Sequence, residues 1–233
     1  MRADAERSRR RILDAACEVF LERGPDAPLD AVVRRAGVGP GTLYRRFPDR
    51  EALVRALVTD LLARLTEAAE EARRAEDDAY RALRRFVHAA ADLRMGAAIV
   101  VLLEHLVVDA ELVAVRAGAA AAVERLIAAA REDGQLRADV GTGDLVLLCV
   151  RLSRPLPGGL AALDADGTLV HRHLDVALAG LRAGTADGTG TADGTGTQDG
   201  TGTQDGTGTP LSFEQVIAAA GRPGEGAGTG VAE

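Results

Sequence analysis

Three observations predict an all-α fold: apolar residues recur at helical spacing along most of the chain, no segment alternates with period two, and glycine or proline punctuates the periodic runs. The expected architecture is an N-terminal three-helix domain with a helix-turn-helix, followed by a larger helical domain. A chain of 233 residues is long enough for both.

The first helix is expected in "AERSRRRILDAACEVFLERG", where Ile12, Leu13, Ala16, Cys17, Phe20 and Leu21 share one face. Gly24 and Pro25 end it. In "LDAVVRRAG", Leu29, Val32, Val33 and Ala36 make a second stripe, closed by Gly37. "PGTLYRRF" is a third, very short helix with Pro40 in its first turn, where the missing N–H costs nothing, and Pro48 stops it. Asp49 is placed to cap a fourth helix with the stripe Leu53, Val54, Leu57, Val58, Leu61, Leu62, Leu65. Helical patterns continue near 50–74, 78–95, 97–107, 110–132, 142–154 and 165–182.

From residue 184 the composition changes. "TADGTG" occurs twice in tandem and "TQDGTG" follows twice, a run too poor in apolar surface to offset the entropy of ordering. Beyond it, Ser212 and Gln215 have the spacing of a capping box. A glycine-rich calcium roll repeats every nine residues rather than six, so no calcium is expected. The expected domains are 1–48 (helix-turn-helix), 49–183 (effector binding and dimerisation) and 184–233 (a disordered Gly/Thr/Asp-rich tail).

Charge is unevenly spread. The chain carries −7 overall, yet residues 1–50 hold eleven arginines against eight acids, a local +3 that leaves −10 for the rest. Such asymmetry points to a polyanion facing one end. All basic residues are arginine, so arginine abundance by itself says little. Cys17 and Cys149 lie in apolar helical patterns and read as buried free thiols of a reducing compartment. The most apolar run, "AAIVVLLEHLVV", is broken by Glu104 and His105 and too short to span a bilayer; with no signal peptide in view, a soluble cytoplasmic protein is expected.

On a helical wheel of 100° per residue the third helix divides by face. Leu43 and Phe47 turn inward to dock on Val32, Val33 and the first helix. Gly41 and Arg45 lie opposite, flanked by Thr42, Tyr44 and Arg46. A small residue for close approach, hydroxyls for phosphates and guanidiniums for guanine edges are equipment for the DNA major groove. "AGVG" supplies the tight turn ahead of this reading helix.

"RILDAACEVFLERG" and "LDAVVRRAGVGPGTLYRRFPDREALV" resemble the TetR (tetracycline-repressor-like) family of bacterial transcription regulators over about residues 7–58. The acidic helices up to about residue 183 resemble that family's variable domain in architecture only. The resemblance implies a homodimer that reads a palindromic operator and is released by a small-molecule effector. Carried onto this chain, Thr42 and Tyr44 would bind phosphate and Gly41 and Arg45 would approach bases. Arg46 would serve either, and Arg9 or Arg10 would add backbone contacts. The family starts its second helix with Thr or Ser; this chain has Pro28 there, with Asp26 as the alternative cap. The resemblance also implies that the last two ordered helices form the dimer interface, with Leu145, Leu148, Val150, Leu152, Leu174, Val176, Leu178 and Leu181 as its apolar surface.

The polar residues His88, Arg94, Glu104 and His105 are the candidates for an effector pocket. His171 and His173 start a helix with no Cys or carboxylate noted at ligand spacing, so neither metal nor cofactor is expected. Only three serines are present, with no G-x-S-x-G and no phosphate-binding glycine loop after a strand, which argues against an enzyme. The competing class is a helical adaptor that does not bind DNA.

Overall fold

Eight helices account for most of the described part of the chain. The computed structural model describes residues 2–93, 98–99, 102–103, 106, 109–152, 164, 167–183, 212 and 215–216. The helices are α1 (Arg2–Arg23), α2 (Leu29–Ala36), α3 (Pro40–Arg46), α4 (Arg50–Ala75), α5 (Ala79–Asp92), α6 (Ala110–Glu132), α7 (Thr142–Leu152) and α8 (Thr168–Gly180). No strand occurs among the described residues; the one extended contact is a bridge between Leu136 and Arg182.

Local chemistry accounts for the boundaries. α1 stops where Gly24 takes φ +87, a value that disfavours any residue with a Cβ. α2 closes in a Schellman turn: Gly37 sits at φ 61, its N–H bonds Arg34 O at 3.3 Å, and Val38 N–H bonds Val33 O at 3.3 Å. Three aspartates cap helices by accepting from the third residue on: Asp49 from Ala52 N (2.8 Å), Asp78 from Arg81 N (2.7 Å) and Asp109 from Leu112 N (2.9 Å). The Asp26 expectation fails. Pro28 is the N-cap of α2 and no side chain caps that end. Beyond the repeats, Ser212 and Gln215 do form the reciprocal box, at 2.8 and 3.1 Å.

α4 is the spine. Its stripe from Leu53 to Leu65, continued by Ala69 and Ala72, is buried, and α1, α5 and α6 pack along it. Ion pairs fix it at three levels: Arg64 reaches Asp14 on α1 at 2.6 Å, Arg55 reaches Asp109, the cap of α6, at 2.6 Å, and Glu70 pairs with Arg125 of α6 at 2.6 Å. At the far end, the Tyr80 hydroxyl donates to Leu178 O at 2.5 Å, and Arg182 lies 4.6 Å over the Tyr80 ring, tying α8 to the start of α5. Leu145, Leu174 and Leu178, expected at a dimer interface, are buried inside the single chain instead. Helical periodicity shows that a face is apolar without showing what covers it. Val176, at 65% exposure, does face out. Of the two thiols expected in the core, Cys149 is buried and Cys17 only half-buried, and burial pushes the Cys149 thiol up to about 11.

Candidate nucleic-acid interface

α3 is seven residues long, too short to be stable alone, so its position depends on what holds it. Leu43 and Phe47 are buried against a core that includes Val32 and Val33, both also buried. Tyr44 is 47% exposed, and Gly41 and Arg45 are exposed beside it, with Thr42 and Arg46 half-buried. Nothing lies within 4 Å of the position a Cβ would take on Gly41, so the backbone there is open to close approach. Arg45 Nη2 donates to Thr42 Oγ1 at 3.4 Å, one turn back.

Two arginines that sequence reasoning passed over pin the reader. Arg11 on α1 donates from Nε and Nη2 to Ala36 O (3.2 and 3.0 Å) and from Nη2 to Gly37 O (2.8 Å). Those carbonyls end α2, where intrahelical partners run out, so the guanidinium satisfies them and fixes the turn into α3. Arg50, at the start of α4, donates to Pro25 O (2.6 Å) and Ala27 O (2.8 Å), fixing the loop between α1 and α2. A bond spanning 25 residues leaves no periodic signal in the sequence. Arg35 is held on α1 by Glu18 (2.6 Å) and Glu22 (2.7 Å), which raise its proton affinity further.

The remaining candidates divide. Arg10 is exposed on α1. Arg9 turns toward α4, 3.7 Å from Asp60, which also pairs with Arg64 at 2.8 Å. His88 lies away from the reader, in a groove lined by Glu76, Arg81, Arg84, Arg85 and Asp92, and it pairs with His171 and Asp175 of α8. Arg94, Glu104 and His105 lie outside the described residues. The acids were legible: Asp92 is one helical turn from His88, and Asp175 one turn from His171. The expectation that no carboxylate stands at ligand spacing from His171 is therefore wrong, although among the described residues no group of three or more His, Cys, Asp or Glu is placed to hold a metal ion. A cavity of about 550 Å³ opens where α1, α4 and the end of α5 meet, lined by Asp14, Cys17, Leu21, Leu57, Leu61 and Leu93 among others. No described helix is long and apolar enough to cross a membrane.

Comparison with known proteins agrees with this geometry. Residues 12–57 match the family described as "Bacterial regulatory proteins, tetR family", and residues 78–183 match "Transcriptional regulator SbtR-like, C-terminal domain". The HTH-type transcriptional regulator UidR of Escherichia coli (strain K12) is 39% identical over 75 residues, 30% of this chain and 38% of UidR. The chain thus spans less than half the length of the curated relatives it matches. A solved TetR transcriptional regulator, SCO0520 from Streptomyces coelicolor, is 32% identical with a TM-score of 0.53, the match covering 76% of this chain and 99% of that one. The TetR-like regulator LfrR from Mycobacterium smegmatis, solved in complex with proflavine, is 25% identical, with 74% and 95% covered and a TM-score of 0.52.

Proposed function

Because the chain belongs to the TetR family of bacterial regulatory proteins, we propose that it acts in the cytoplasm as a ligand-responsive repressor, a homodimer whose paired α3 helices read a palindromic operator. The observation that carries this is the outward face of α3: Gly41, Tyr44 and Arg45 stand exposed on a helix whose opposite side is buried and whose entry turn is pinned by Arg11. Arg45 forks onto a base edge, Gly41 admits the backbone, and Thr42, Tyr44, Arg46 and Arg10 serve phosphates. Arg9 contributes after leaving Asp60.

Release follows from the bonds of α4. Arg64 ties it to α1 of the reading domain through Asp14, and Arg55 ties it to α6 through Asp109, so a displacement of α4 moves both. LfrR is solved with proflavine; for this chain the cavity between α1 and α4 is the place where a small molecule bears on reader and body together. An effector that binds the displaced state better shifts the population away from the DNA-binding state. α8 and the half-buried side of α7, with Val176, Leu148 and Leu152, supply the partner-facing surface.

The test is a titration of an inverted-repeat fragment from upstream of the gene against random duplex at fixed salt. The double variant Tyr44→Phe/Arg45→Ala is expected to lose most of the preference while keeping its melting temperature. An unchanged preference overturns the residue assignment, and no preference in the native protein overturns the function.

A further inference from the structure

Four ionisable side chains, remote from α3, form one hydrogen-bonded row between α5 and α8. Nε2 of His171 is 2.8 Å from Oδ1 of Asp92, Nδ1 of His171 is 2.6 Å from Nδ1 of His88, and Nε2 of His88 is 2.7 Å from Oδ1 of Asp175. Arg84 closes the row with two bonds to Asp175, at 2.7 and 2.8 Å. The rings are within 5° of parallel with centroids 4.9 Å apart. That separation is the 2.6 Å gap plus the two ring radii, so the imidazoles do not stack. They meet head-on in a common plane, nitrogen to nitrogen.

Counting protons decides what this arrangement holds. Each of the three contacts needs one hydrogen, because a bare ring nitrogen repels a carboxylate oxygen or another bare nitrogen. Two neutral imidazoles bring two. We propose that the folded His88–His171 pair holds a single additional proton, shared between the two Nδ1 atoms, and that this proton clasps α8 to α5. A metal ion does not fit the gap: it needs about 2.0 Å to each nitrogen, and half of the gap is far less. With the proton, the row is formally neutral, two carboxylates against Arg84 and one imidazolium.

The clasp fails in both directions. One proton fewer turns two lone pairs on each other, and one more turns two N–H groups on each other. In the unfolded chain the two histidines titrate independently near about pH 6.5, passing from two additional protons to none. Below that range the unfolded chain holds more protons than the folded pair, so stability rises with pH; above it the folded pair holds more, so stability falls with pH. Stability therefore peaks between the two limbs. The other charged groups around the row are Glu76, Arg81 and Arg85, which line the same groove as His88, Asp14, Glu18, Glu22 and Arg64, which line the α1–α4 cavity together with Asp92, and the exposed Arg172 and His173 on α8. From α7, which packs on both helices, Asp144 accepts from Gly141 N at 2.7 Å and Arg151 is exposed.

The experiment melts the full chain, at one protein concentration, from about pH 5 to about pH 8.5, across the range where histidine changes charge. The native protein, His88→Gln, His171→Gln and the control His173→Gln are compared, and imidazole ¹⁵N spectra of the native protein are recorded across the same range. The native protein and His173→Gln are expected to show a maximum in melting temperature. Both pair variants lose it, differing most from the native protein at the maximum and least at the ends. The spectra show both Nε2 atoms protonated at the maximum, with one proton between the Nδ1 atoms. A native profile without a maximum, a maximum that survives His88→Gln, or rings that titrate independently overturns the proposal. If a pair variant does not fold, the native spectra decide alone.

Discussion

Replacing Arg11 by Met keeps the apolar stem and removes all three bonds to the carbonyls of Ala36 and Gly37. Hydrogen bonds from a charged donor contribute about 1.5–3 kcal/mol each when dry. This guanidinium is partly in water and its bond to Gly37 O is exposed, so about 1 kcal/mol per protomer is the expected loss of order in the turn. The carbonyls themselves regain water. α3 then samples orientations other than the one DNA selects. Two readers engage one operator in the proposed dimer, so the losses add to about 2 kcal/mol, near 30-fold in Kd. The assay is fluorescence anisotropy with labelled operator at several salt concentrations. Arg11→Met is expected to weaken binding by that factor and leave the slope of log K against log salt unchanged, since Arg11 neutralises no phosphate. Arg11→Lys, with one point donor in place of a fork, recovers only part of the loss. Native affinity in Arg11→Met refutes the pinning role. A slope reduced by about 1 per protomer shows a phosphate contact instead.

Leu43→Ala removes the fully buried anchor of α3 and is expected to cost about 2–5 kcal/mol in denaturant unfolding, with operator binding lost; a smaller cost with binding intact contradicts the inward face. The Arg84 guanidinium, ahead of the bond to His88, holds the Asp175 carboxyl down to about 2. A depressed carboxylate stabilises above its unfolded value of about 3.9, and that stability is lost as pH falls toward 2. Because the Arg84–Asp175 pair is half-exposed, the loss over that window is under about 1 kcal/mol, and Arg84→Gln is expected to reduce it in acid unfolding curves. Burial keeps Cys149 a protonated thiol at neutral pH, so a thiol reagent is expected to label Cys17 first; equal rates by mass spectrometry contradict this.

What was legible in the sequence follows from the range of the forces involved. The stripe of α4, the Asp49 cap and the Gly37 turn depend on neighbours within one or two helical turns, and each forms where the spacing places it. The wheel separated Leu43 and Phe47 from Tyr44 and Arg45, and burial separates them in the same way. Contacts between elements left no such trace. Arg11 bonds a carbonyl 25 residues away, and nothing in its own helix marks it. Leu174 and Leu178 form an apolar face that the resemblance assigns to a second chain and that the structure buries within the chain itself. His88 looked like a polar group in a pocket; the i, i+4 run Arg84, His88, Asp92 on α5, set beside His171 and Asp175 on α8, was the available signal.

The most direct test of the account is selection of fragments of the native genome by the purified full chain, run in parallel with Tyr44→Phe/Arg45→Ala. The exposed face of α3 predicts that the native protein enriches an inverted repeat with half-sites one helical turn or a multiple apart, and that the double variant does not. Recovery of the same repeat by both proteins, or of no sequence above background by the native one, would contradict it.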